Sequence, residues 1–154
     1  MKPIVILLAL AALFVGVTVC LADSPHMGTW KLNEAKSKFS PGAAKNNTVI
    51  YEAAGDSVKV TVDGVDGNGA ATHNEWTGKF NGKLYPVTGD PTSDLRSYRK
   101  INSRTLALTG KKDGKVSLTG RIVVSANGKT RTVTTTATDS KGQRIINRAV
   151  YDKE

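Results

Sequence analysis

The feature that most restricts this chain is its punctuation by glycine turns. Gly55-Asp56, Asp66-Gly67-Asn68-Gly69, Asn81-Gly82, Asp113-Gly114, Asn127-Gly128 and Lys141-Gly142 separate short stretches of alternating apolar and polar residues. Asn-Gly and Asp-Gly supply the positive φ angles of tight hairpins. Ser57–Asp63 alternates without error, with Val58, Val60 and Val62 on one face. Val116–Val124 keeps an apolar residue or glycine at every even position. Strict alternation of this kind predicts half-buried antiparallel strands. Gly114, Gly128 and Gly142 recur at 14-residue intervals, the length of one strand plus its turn, which is hairpin rhythm and not a solenoid.

Ten strands are predicted: 29–32, 48–52, 58–63, 72–80, 83–87, 95–101, 105–111, 116–125, 129–138 and 144–151. Only Glu34–Phe39 has a helical pattern, for one short helix after the first strand. Sequential hairpins without crossover helices give an all-β, up-and-down antiparallel sheet of 8–10 strands, and closure into a barrel removes its edges. Two connections exceed hairpin length, Ser40–Asn47 and Gly89–Asp94, and each carries a proline.

Register decides what lies inside. A two-residue Asn127-Gly128 turn pairs Ile122 with Val133 and turns Thr130, Thr132, Thr134, Thr136 and Thr138 outward, whereas a three-residue loop turns the same row inward. The two-residue turn is the expectation because it buries Val133 and Ala137. A three-residue Lys112-Asp113-Gly114 loop brings Leu106 and Leu108 onto the face of Leu118 and Gly120. Small inward glycines at Gly110 and Gly120 leave room in the lumen.

The N-terminus reads as an address, not as part of the fold. Met1-Lys2 precedes the apolar stretch Ile4–Val17, and Cys20-Leu21-Ala22 fits a cleavage site. Ile4–Val19 is shorter than the roughly 20 residues that span a bilayer. Residues 1–22 are therefore expected to be a signal peptide and 23–154 the mature domain, secreted to a periplasmic or extracellular space. Val19 before Cys20 disfavours a lipoprotein anchor. Cys20 is the single cysteine of the 154 residues, so the domain has no disulfide to rely on. That length and composition exclude a multidomain enzyme, a coiled coil, a collagen-like repeat and a disulfide-built miniprotein.

Charge is uneven. Asp23–Leu95 holds 7 basic and 9 acidic residues, Arg96–Glu154 holds 14 and 4. The basic C-terminal half suits an anionic polymer or protein partner, with Arg96, Arg99 and Lys100 as its test positions. Chemistry-bearing residues are few. His73 lies two residues from Glu75 on a strand face directed to solvent, with no third ligand and no nucleophilic constellation. No nucleotide fingerprint or dedicated nucleic-acid motif occurs. No catalytic residue, metal or cofactor is expected, so the chain does not read as an enzyme.

Gly28-Thr29-Trp30 ahead of a short helical segment and a run of hairpins resembles the Gly-x-Trp opening of lipocalins. The segment Gly28–Ser37 and the closing Val150-Tyr151-Asp152-Lys153 are similar to the ends of small secreted bacterial lipocalin-like proteins. The resemblance implies a calycin-type barrel, like those of lipocalins and fatty-acid-binding proteins. It also implies a monomer that binds a small hydrophobic or amphipathic, lipid-like ligand in its lumen. Val60, Trp76, Phe80, Leu106, Leu118, Ile122 and Val133 are the expected walls. Trp30, with Arg148 laid across its ring, is expected to close the base. The alternative is a filled barrel acting as an envelope-associated interaction or inhibitor module through its basic surface.

Overall fold

A computed structural model describes residues 23–154, and the segment read as a signal peptide lies outside them. The ten strands are β1 (Gly28–Leu32), β2 (Lys45–Ala54), β3 (Ser57–Val65), β4 (Ala71–Gly78), β5 (Tyr85–Thr88), β6 (Leu95–Asn102), β7 (Thr105–Lys112), β8 (Lys115–Val124), β9 (Thr130–Thr138) and β10 (Arg144–Lys153). Each pairs antiparallel with its neighbours in sequence, and β1 pairs with both β2 and β10, so the sheet closes. This up-and-down barrel is compatible with a calycin-like fold.

The expected helix is only a 3-10 turn, Glu34–Lys36. Asn33 caps it by accepting from the Lys36 amide through its side chain. The segment lies against β10: the Asn33 amide donates to the Val150 carbonyl and Ser37 Oγ accepts from the Val150 amide. Packing on β10 thus claims the polar groups that a longer helix would have used internally. It also buries Val150, which points away from the lumen.

The expected registers hold, with different turns. Ile122 pairs with Val133 and the threonine row faces outward. The loop, however, is four residues long: Ser125 N–H donates to the Thr130 carbonyl at 2.8 Å, and Asn127 Oδ1 accepts from the Lys129 amide. Two- and four-residue loops preserve the same side-chain parity. At the preceding hairpin, Asp113 (φ 50°) and Gly114 (φ 77°) form a two-residue turn instead of the expected three-residue loop. A register shift between Gly110 and Lys111 then restores the pairing of Leu108 with Gly120. A bulge in the strand, not a longer loop, supplies the extra residue.

The interior is graded in size along the barrel axis. At the base, where the chain enters at His26, the large side chains Trp30, Trp76 and Leu106 are fully buried with Val58, Val60 and Val124. Trp76 meets Tyr98 edge-on at 4.7 Å, and Phe80 tilts against Tyr98 at 5.8 Å. Such aromatic pairs add about 0.5–1.5 kcal/mol each beyond area burial. Trp30 Nε1 donates to the His26 carbonyl and Trp76 Nε1 to the Arg96 carbonyl, both at 2.9 Å. Toward the other end the inward positions are smaller: Val62, Asn74, Thr135, Ala137 and Asn147.

Gly64 marks where β2 bulges, the register slipping between Asn46 and Thr48. A Cβ at Gly64 would stand 2.1 Å from the Lys45 carbonyl oxygen. Gly64→Ala is expected to destabilise the fold by about 1–3 kcal/mol, the usual cost of overpacking against backbone, as measured by denaturant unfolding.

Candidate functional site

The size gradient leaves a cavity of about 600 Å³ in the wider half of the barrel. Its mouth is framed by Ser40–Ala44, Asp66 and Gly89–Thr92, so both proline-bearing connections noticed in the sequence lie at the open end. Apolar wall comes from Val49, Val62, Leu108, Leu118, Ile122 and Val133, polar wall chiefly from Asn74, Arg96, Arg131 and three tyrosines.

Of the seven walls expected from sequence, Leu118, Ile122 and Val133 line this cavity. Val60, Trp76 and Leu106 point inward too, but are packed solid in the base, and Phe80 caps that end against Tyr51, Tyr98 and His26. Large side chains fill the barrel where they sit, so the void forms where they are missing. Nor do the inward glycines open it. A Cβ on Gly110 would meet Ser93 Oγ at 2.5 Å, and one on Gly120 the Thr134 carbonyl oxygen at 2.8 Å. Neighbouring atoms already occupy those spaces.

Trp30 stands at the base, 0% exposed. The cations over it are Arg131 and Lys153, not Arg148. The Arg148 side chain is exposed on the outer face and donates to the Lys36 carbonyl, because Asn147 and Ala149 take the inward parity of β10. Arg131, 2% exposed, places its guanidinium carbon 5.3 Å from the Trp30 ring centre, 4.9 Å from Tyr51 and 4.8 Å from Tyr151. Its Nε and Nη1 are buried without a hydrogen-bond partner, and among the described residues it forms no ion pair. Cation–π contacts contribute about 0.5–2 kcal/mol. A desolvated charge costs several kcal/mol, so the rings offset only part of it. The signal for Arg131 was present in the alternation: it shares the parity of Val133 on β9.

Arg96 is the other buried cation, and this one is neutralised. Its Nη2 lies 2.8 Å from Asp90 Oδ2 and 3.2 Å from Asn74 Oδ1. It is therefore unavailable to the basic outer surface in which the sequence placed it. Asp90 also accepts from the amide and hydroxyl of Thr92, which ties the Gly89–Asp94 connection to the lumen wall. Burial pushes the Tyr98 hydroxyl well above its usual range and, despite the opposing effect of Arg131, pushes Tyr151 up to about 12. Both hydroxyls remain protonated donors at neutral pH.

His73 lies on the outer face, its Nδ1 2.6 Å from Asp63 Oδ1 and its Nε2 3.5 Å from Glu75 Oε1. Glu75 is shared with Lys59 at 3.2 Å. The hydrogen bond to Asp63 raises the pKa of His73, while that from Lys59 lowers that of Glu75. These groups form an exposed charge ladder across β3 and β4. Among the described residues no cluster of three or more His, Cys, Asp or Glu has the geometry for a metal ion. Comparison with protein-family models and with curated protein sequences finds no match.

His26, 1% exposed beside the base, has neither ring nitrogen partnered. Burial, then Arg131, Lys100 and Lys153, lower its pKa from 6.5 to about 4. Between those values the unfolded chain takes up a proton that the folded chain refuses. Stability should thus fall as pH drops from 6.5 towards about 4 and level off below. Denaturant titrations at about pH 7 and about pH 5 should differ by about 2 kcal/mol from this group, and His26→Phe should remove most of that difference.

Proposed function

We propose that this protein is an exported, lipocalin-like carrier that holds a small amphipathic or apolar ligand in its lumen. The cavity carries the proposal: about 600 Å³, open at one end, with an apolar wall of Val49, Val62, Leu108, Leu118, Ile122 and Val133 beside polar groups that can orient a ligand. These are the ordinary dimensions and chemistry of a small-molecule site. Gly28-Thr29-Trp30, with Trp30 buried under the lumen, supports the lipocalin-like identity. The signal-like character of residues 1–22 supports export. Binding is passive: the ligand exchanges hydration for contact with the aliphatic wall, at about 25 cal/mol per Å² of apolar surface removed from water. Nothing in the process calls for catalytic chemistry.

One observation also favours contact with an anionic polymer on the outside. Backbone pairing aligns Arg99, Ala107, Arg121, Thr134, Arg148 and Lys38 in a single row around the barrel. The three arginines recur on alternate strands, about 9.5 Å apart at two strand spacings, and among the described residues none of them is paired with an acid. Arg99, Arg121 and Arg148 thus replace Arg96, Arg99 and Lys100 as the positions at which charge reversal would abolish salt-sensitive retention on an anionic matrix.

The lumen is tested with an uncharged amphiphile, dodecanol. Saturating alcohol at about 100 times its Kd should stabilise the protein by about 2.7 kcal/mol, read as a rise in Tm. Ala137→Phe, which directs a ring into the cavity from beside Leu118, its partner across the β8–β9 pairing, should abolish the rise while the protein stays folded. Binding that survives this substitution would place the ligand elsewhere.

A further inference from the structure

We infer that the lumenal ligand is a monoanion, a carboxylate on an apolar body, and that it enters head-first so that its charge meets Arg131 at the cavity floor. This rests on the lumenal site proposed above and adds the chemistry of what the site selects.

Arg131 borders the cavity, whereas Trp30, Trp76 and Leu106 do not. Three aromatic rings pack against the guanidinium of this cavity-lining residue. Two of its nitrogens lack an acceptor. A buried cation without a counter-ion is costly to keep, yet this chain maintains one bordering the lumenal cavity. An anion arriving through the mouth supplies the missing partner. Charge-assisted hydrogen bonds of this kind are stronger than neutral ones.

The balance of charge selects the class. Arg96, the second cation of the lumen, already carries Asp90, and Lys153 lies 5.2 Å from the Trp30 ring without lining the cavity. Asp66 stands at the mouth, so it is at the floor that one uncompensated positive charge faces the ligand. That matches a carboxylate; a phosphate monoester brings close to two negative charges and three strong acceptors. The Tyr51 and Tyr151 side chains, which pack on the guanidinium, also line the cavity, and their phenols are hydrogen-bond donors of the kind a carboxylate accepts. Above this floor Ile122, Val133 and Leu118 form an aliphatic wall toward the mouth, which suits an unbranched or lightly branched apolar body.

The test compares dodecanoate with dodecanol on the intact protein by calorimetric titration. The expected result is a carboxylate preference of at least about tenfold. It should fall to within about twofold in Arg131→Met, with alcohol binding retained, and be partly kept in Arg131→Lys. The exposed-site control Arg104→Met should leave the preference unchanged. Equal affinities in the wild-type protein, or a preference that survives in Arg131→Met, would overturn the assignment while leaving the lumenal site standing. Binding of neither compound would remove both.

Should Arg131→Met fail to fold, carboxyl-13C dodecanoate bound to the wild-type protein decides the question. A head group on Arg131 stays ionised as the pH falls through about 4, the ordinary carboxyl range. A head group that titrates as in water overturns the inference.

Discussion

The barrel depends on its shortest closing element. β1 spans five residues, yet its backbone pairs with β2 on one side and β10 on the other. Removing it would leave two ten-residue strands with unpaired edges, a template for aggregation. The same strand carries Trp30, whose ring fills the base and whose indole N–H is satisfied by the carbonyl of His26. Closure of the sheet and sealing of one end are therefore a single event, fixed by a few residues near the start of the folded chain.

From that closed base follows the asymmetry of the interior. Side chains of decreasing size toward the mouth convert a packed core into a cavity within one uninterrupted sheet. A barrel of this strand number can be filled or hollow according to the residues that point inward. Here the base is filled and the far half is not. Arg131 lies at the boundary, packed against three aromatic rings and bordering the opening. It costs stability in an empty barrel and gives the cavity its chemical character.

Much of this was legible in the sequence, and for identifiable reasons. Alternation marks the strands, and Asn-Gly or Asp-Gly turns mark four of the nine connections, because hairpins are local: their geometry is encoded in adjacent residues. The pairing of Ile122 with Val133 followed from hydrophobic parity alone. The helical pattern after β1 was less secure, since Glu34–Lys36 forms only a 3-10 turn once β10 competes for its hydrogen bonds. The site was legible in parity but not in depth. Val60, Trp76 and Leu106 do face inward, yet distance along the barrel axis separates them from the cavity, and alternation carries no information about that distance. The resemblance points to Arg148 over Trp30, but strand parity turns Arg148 outward. Arg131 has the inward parity, although a charged residue in a strand is ordinarily a solvated one.

By itself the sequence determined the strands, their order, the antiparallel connections and which face of each strand turns inward, because these depend on interactions between residues close in the chain. Only the tertiary structure decided where the lumen is packed and where it is open, that Arg96 is neutralised by Asp90 while Arg131 is not, and that Arg99, Arg121 and Arg148 align in one row. Those features depend on stagger between strands distant in sequence. A shift of two residues in that stagger would leave every face unchanged and move every side chain to a different height in the barrel.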